Sequence, residues 1–155
     1  MSSNAEFDNC RERAVVFLGL DRNKSSGRVR QKLQQENYDP DIVEAVITYL
    51  KEIDYINDER AAGYICRRYT GKRLRSRKAM QYVLTGAGIE YAVSAKIAGT
   101  LAEDEESSLA LLEAYYRSSI PEYSKALRLL ARRGYSAYVS GKAVKKFLSV
   151  EEDFI

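Results

Sequence analysis

The residues best placed to do chemistry in this chain are cationic. The run RRYTGKRLRSRK, residues 67–78, holds Arg67, Arg68, Lys72, Arg73, Arg75, Arg77 and Lys78 with no acid among them. Guanidinium forks and ammonium groups at that density suit phosphates and carboxylates, so the run points to an anionic partner. Arg67, Arg68 and Lys72 also suit the negative end of a helix stopping just before them. Arg73 to Lys78 lack that explanation, because the next helix begins there and its dipole disfavours cations. A second group contains Arg128, Arg132, Arg133, Lys142, Lys145 and Lys146, with Arg128 and Arg132 one helical turn apart on one face. Arg128, Arg132 and Arg133 join the run as candidate contacts to a partner or nucleic acid. Arg22, Lys24, Arg28, Arg30 and Lys32 make a weaker third group. For the second and third groups, an ordinary solvated surface explains the charges equally well.

Catalytic chemistry finds little to work with. The chain has no histidine, which removes the usual neutral-pH base, the Ser-His and Cys-His dyads and the commonest metal ligand. Cys10 and Cys66 are too few and too far apart in sequence for a zinc site. They sit in apolar-periodic segments, as small core residues of a reducing compartment do. Gly71-Lys72-Arg73 lacks the leading glycine spacing and the hydroxyl of a phosphate loop. Carboxylates cluster at expected helix starts and at Glu151-Glu152-Asp153, where caps and solvated ends account for them. The expectation is a protein without catalysis, metal or cofactor.

Composition bounds the rest. Over 155 residues, 45% are hydrophobic, 30% charged and only 2 are proline, which fits a folded helical chain rather than a disordered one. No apolar run approaches the length of a membrane span, and the polar, acidic start MSSNAEFDNCRER does not resemble a secretory signal. A cytoplasmic monomer is expected. Net charge is +3, so the distribution of charge says more than its total.

The elements that must carry the basic groups form a repeat. With Tyr38, Ile89 and Tyr135 as anchors, spaced by 51 and 46 residues, eight columns align. They are Ala14/Ile65/Leu111, Leu18/Tyr69/Tyr115, Val29/Met80/Ala126, Leu33/Leu84/Leu130, Tyr38/Ile89/Tyr135, Ile42/Val93/Val139, Val46/Ile97/Ala143 and Leu50/Leu101/Phe147. All 24 positions are apolar or Tyr, where composition alone would place about 11. The last three columns are four residues apart, the spacing of a buried helical stripe. The fold expected is all-α: three tandem three-helix repeats over 5–54, 57–102 and 104–150. A repeat of that size buries too little to stand alone, so neighbours should pack together.

Boundary residues agree. Asp39-Pro40 opens the third helix of repeat one, and Ser25 and Ser76 cap second helices. Asp58-Glu59 and Asp104-Glu105-Glu106 open first helices, facing the positive dipole end. Gly88 and Gly134 follow second helices where a left-handed residue is wanted, and Asn37 takes that place in repeat one. Tyr38, Tyr69, Tyr115 and Tyr135 are expected in the core, with Tyr64, Tyr82, Tyr116 and Tyr138 exposed.

Residues 14–68 resemble the RecX family of bacterial recombinase regulators. That family's pattern places Arg-Ser, then Leu-x-x-Lys-Leu before a Gly-aromatic turn, then a helix and an Asp-Asp-x-Arg-Phe-Ala box. Here these become Lys24-Ser25, Val29-Arg30-Gln31-Lys32-Leu33, Asn37-Tyr38, the helix 42–53 and Asn57-Asp58-Glu59-Arg60-Ala61-Ala62. GKRLRSRKAMQYVLTGAGI, residues 71–89, resembles the family's next signature. Ala61 replaces the usual Phe and Asn37 the usual Gly, while Gly27, Gly63 and Gly141 fall inside expected helices at about 1 kcal/mol each relative to Ala. The resemblance implies an elongated, curved array without catalysis. It implies binding to RecA filaments on single-stranded DNA, restraining ATP hydrolysis, strand exchange and filament growth. The alternative is a helix-turn-helix-like protein that binds single- or double-stranded DNA directly.

Overall fold

The computed structural model describes residues 3–153 and is all-helical, with no strand among them. The helices are α1 (Ser3–Leu18), α2 (Ser26–Gln35), α3 (Pro40–Glu52), α4 (Asp58–Cys66), α5 (Arg77–Gly86), α6 (Tyr91–Thr100), α7 (Asp104–Tyr115), α8 (Tyr123–Arg132) and α9 (Ala137–Asp153). One 3-10 turn, Gly71–Arg73, lies between α4 and α5. Three consecutive groups of three helices fit the repeat pattern. The side chains of Glu151, Glu152 and Asp153 lie outside the described ones.

Local chemistry explains where these helices begin and end. The Ser25 hydroxyl accepts from the Arg28 amide at 3.2 Å and that of Ser76 from the Ala79 amide at 3.1 Å, each closing an orphan donor of a second helix. Ser136 does the same for α9 through the Val139 amide at 3.2 Å. Asp39 accepts from the Asp41 amide at 2.8 Å, with Pro40 in the first turn where its missing N–H costs nothing. Asn37, Gly88 and Gly134 hold φ of 65°, 91° and 93°, the left-handed stops that end α2, α5 and α8.

The chain packs as two compact units that cut across the middle group of helices. Unit 1 is Met1–Tyr64 with Leu84–Ala95, and unit 2 is Ile65–Val83 with Lys96–Ile155. In unit 1, Cys10, Ala14 and Leu18 of α1 meet Val29 and Leu33 of α2 and Val43, Val46, Ile47 and Leu50 of α3, closed by Ile56. In unit 2, Leu111 and Leu112 of α7 meet Ala126, Leu129 and Leu130 of α8 and Tyr135, Val139, Ala143, Val144 and Phe147. Each fully buried Leu or Val side chain contributes about 1.5–3 kcal/mol. Every aligned column position is buried or half-buried except Tyr115. Tyr115 is 42% exposed, because α7 ends there and the next residue takes its place on the core. Tyr116, expected to be exposed, is half-buried and packs against the unit 2 core, with burial raising its phenol pKa. Burial, with Glu6 and Glu36 adding, pushes the Cys10 thiol up to about 11, and burial raises Cys66 too; both cysteines are free.

A recurrent joint inside each unit ties a second helix to the chain that follows. In unit 1, Asp58 at the start of α4 is buried and accepts from the Ser26 amide at 2.8 Å and the Ser26 hydroxyl at 2.7 Å. It also accepts from the Glu90 amide at 2.9 Å. Gly27 donates to the Gly88 carbonyl at 2.9 Å, and the Ser25 hydroxyl donates to the Ala87 carbonyl at 2.7 Å. In unit 2, Asp104 accepts from the Arg77 amide at 2.9 Å, and Ser76 donates to the Arg133 carbonyl at 3.1 Å. The acids of first helices thus stabilise the positive end of the second helix before them. The backbones meet closely here: a Cβ on Gly27 would lie 2.6 Å from the Gly88 oxygen and 2.7 Å from its Cα.

Gly27 and Gly63 are both helical but should respond in opposite directions. Gly63→Ala meets open space and should gain about 0.5–1 kcal/mol in urea unfolding, whereas Gly27→Ala should lose about 2 kcal/mol to backbone overlap. Equal responses would show that the Gly27–Gly88 approach is not a constraint. Asp58→Ala strands two amides and a hydroxyl and should cost about 3 kcal/mol by the same measurement.

Candidate functional site

The basic run is laid out along three different backbones. Arg67 and Arg68 follow the end of α4, exposed. Lys72 and Arg73 lie in the 3-10 turn, exposed, and Gly71 admits the turn with φ of 59°. Arg75 sits half-buried in the extended link, while Arg77 and Lys78 begin α5. Arg128 and Arg132 are exposed on α8, and Arg133 is its half-buried C-cap.

Their neighbours sort these cations by role. Arg77 is structural: its Nε donates to the Leu101 carbonyl at 2.9 Å, a bond that its Nη2 also makes. That carbonyl lies just past the end of α6, where a cation complements the dipole. Arg133 is part scaffold, its Nη1 donating to the Lys72 carbonyl at 2.6 Å and the Leu74 carbonyl at 3.5 Å. It thereby fixes the 3-10 turn against the end of α8. The turn also packs against α7. Arg75 lies over the Tyr69 ring, 4.9 Å from its centroid, a cation–π contact that aims the guanidinium. Arg67, Lys72, Arg73 and Lys78 have no carboxylate within ion-pair distance among the described residues.

Arg68, Arg73, Arg75 and Arg133 are brought together, with Tyr69, around one cleft of about 290 Å³. Arg67, Lys72, Arg77, Lys78, Arg128 and Arg132 do not line it. Tyr69 is the residue that the core columns hid: it is half-buried, but its face serves Arg75. An aromatic inside an acid-free basic run is the signal that marks it. Unit 1 contrasts with this arrangement. There Arg13 pairs with Glu36 at 2.6 Å, Arg30 with Glu44 at 2.7 Å and Arg60 with Asp54 at 3.1 Å. The Arg13 guanidinium holds the Glu36 carboxyl below its usual range. Unit 1 carries 9 Lys and Arg against 13 Asp and Glu; unit 2 carries 16 against 9. The whole positive balance of the chain therefore resides in unit 2. Its cleft can bind an anion by charge-assisted, forked hydrogen bonds.

No group of His, Cys, Asp and Glu among the described residues could hold a metal ion. No described helix is long and apolar enough to cross a membrane.

The division of labour between Arg77 and Arg73 is measurable. Arg77→Ala should lower stability by about 1–3 kcal/mol in urea unfolding, having removed a charged donor from a helix end. Arg73→Ala, exposed and unpaired, should stay within about 0.5 kcal/mol of the parent. A destabilised Arg73 variant would mean that this side chain also holds the turn.

No family model matches the chain. A regulatory protein RecX of Corynebacterium efficiens is 30% identical over 142 residues, covering 84% of this chain and 67% of that protein. A regulatory protein RecX of Clostridium beijerinckii is 24% identical over 164 residues, covering 99% of this chain and 75% of that protein. The crystal structure of RecX from Lactobacillus salivarius superimposes with a TM-score of 0.72 over 98% of this chain and 99% of that one, at 20% identity, and shares the fold. With the fold shared and the Corynebacterium relative matched over two thirds of its length, the chain belongs to the RecX family of regulatory proteins.

Proposed function

We propose that this chain binds the RecA recombinase filament and restrains its ATP hydrolysis, strand exchange and growth, acting as a cytoplasmic monomer without catalysis or cofactor. The observation that carries the reading is the cleft of unit 2, lined by Arg68, Arg73, Arg75 and Arg133 with no carboxylate, in the unit that holds the chain's positive balance. Membership in the RecX family supplies the regulatory role. A filament of protein on single-stranded DNA offers such a surface many anionic groups at once. The three groups of helices act as tandem repeats in this reading, with the segment between α4 and α5 and the end of α8 supplying the cleft's cations.

A second reading is direct binding to bare DNA. Exposed Arg128 and Arg132, one turn apart on α8, favour it, since a helix face of that kind can follow a phosphate backbone. Tight, sequence-dependent binding to naked duplex would support this reading; it should also fall steeply with salt.

ATP turnover by a RecA filament on single-stranded DNA separates these ideas. Added protein should slow turnover, and no effect at several-fold excess would sink the filament reading. Joint reversal of the exposed Arg67, Arg73 and Lys78 to Glu should remove most of the effect, by about tenfold or more, while leaving helix content unchanged. Arg77 is left intact in that variant because it holds the end of α6.

A further inference from the structure

The cleft of unit 2 has the features of a binding site for one kind of group, and they are independent of any family likeness. Its lining of Arg68, Tyr69, Arg73, Arg75 and Arg133 includes no carboxylate. The Arg75 Nε is shielded from solvent and has no hydrogen-bond partner. A buried N–H without an acceptor is unfavourable, so an acceptor brought within its reach is stabilised. The guanidinium that carries it is held by the Tyr69 ring at 4.9 Å, so its direction is set before a ligand arrives. Arg133 is fixed as well, because its Nη1 is bonded to the Lys72 and Leu74 carbonyls at 2.6 and 3.5 Å and its own carbonyl accepts from Ser76 at 3.1 Å. Its Nε and Nη2 make no hydrogen bond among the described residues.

The geometry points to a phosphate-binding site in this cleft, with Arg75 and Arg133 as the preset donors and Arg68 and Arg73 completing the shell. A tetrahedral phosphate presents several acceptor oxygens in different directions and can serve forks arriving from two chain segments. A carboxylate can accept from more than one donor, but its two oxygens lie in one plane and meet forks arriving from different directions less well. The phosphate comes either from a nucleic-acid backbone or from a free phosphate compound, and both present the same oxygens. The site lies on the surface that the regulatory reading uses, and it is tested without any recombinase.

Pyrophosphate is the probe for the free group and a short single-stranded oligothymidylate for the backbone. Titration of the full chain by calorimetry at low ionic strength should show pyrophosphate binding at one site. In ¹⁵N spectra of the arginine side chains, the Arg75 and Arg133 Nε–H signals should move with saturation. Arg75→Lys keeps the charge but loses the fork, and should bind about tenfold more weakly. Arg73→Ala, exposed and away from the core, should weaken binding as well, so the result does not hang on one variant. Competition between the two probes identifies a backbone phosphate as the ligand. Pyrophosphate binding that the oligonucleotide leaves undisturbed identifies a free phosphate compound. Absence of saturable pyrophosphate binding, or equal affinity in the parent and both variants, overturns the site. Slowed RecA turnover by the same preparation would then leave the regulatory reading standing, and loss of that effect with phosphate binding intact would do the reverse.

Discussion

The fold depends on what closes the positive ends of α2 and α5. Each helix begins with amides that its own turns cannot satisfy, and one serine hydroxyl covers only one of them. Others are met by chain that comes later in sequence: Asp58 and the Gly88 carbonyl for α2, and Asp104 for α5, whose Ser76 cap donates its own amide to the Arg133 carbonyl. A buried carboxylate needs several donors to offset its lost hydration. Asp58 has three, two from the start of α2 and one from the start of α6. Glycine is required beside it because the two backbones approach too closely for a Cβ. Acid, glycine turn and serine cap form one joint, and it occurs once in each unit.

Arg60 extends the joint in unit 1. Its guanidinium donates to the carbonyls of Arg22, Asp54 and Tyr55. Arg22 and Asp54 hold positive φ of 54° and 62°, conformations that side chains other than glycine rarely adopt. A single arginine therefore pins two strained turns, while Ala61 and Ala62 beside it are fully buried. Asp58, Arg60, Ala61 and Ala62 of the box Asn57 to Ala62 are thereby explained as architecture. The same commitment explains the cations that remain. Asp58 and Asp104 face inward onto helix starts, so they do not neutralise the basic run, most of which meets no carboxylate among the described residues.

Much of the fold was legible because its signals are local. Caps at Ser25, Ser76 and Asp39, and left-handed stops at Asn37, Gly88 and Gly134, are decided within a few residues, and the apolar columns follow helical spacing. The hidden parts are long-range. Asp58 reads as serving its own helix, since nothing nearby shows that Ser26 and Glu90 will surround it. Gly27 reads as a helix defect until Gly88 is placed against it. Tyr115 and Tyr116 exchange roles because the helix ends between them, and periodicity does not carry past a C-cap. The site was legible as a charge run but not as a cleft. Arg77 reads like its neighbours until the end of α6 is brought to it, and Arg133, though a candidate with the run, gives no sign in sequence that it meets Arg75 in one cleft.

This sorting of arginines bears on how a regulator of this kind can bind firmly without being indiscriminate. Exposed cations such as Arg67, Arg73 and Lys78 attract any polyanion, and their contribution falls as salt screens it. They speed encounter more than they select. Selection needs donors whose directions are set in advance, because a fork that is already oriented loses less freedom on binding. In the phosphate site proposed for unit 2 that role falls to Arg75, aligned by Tyr69, and to Arg133, tied to the turn it faces. In that site the anchored pair is accompanied by exposed cations, which assigns attraction and discrimination to different residues. Screening weakens the first far more than the second, and a partner that fits the cleft gains over bulk polyanion as ionic strength rises.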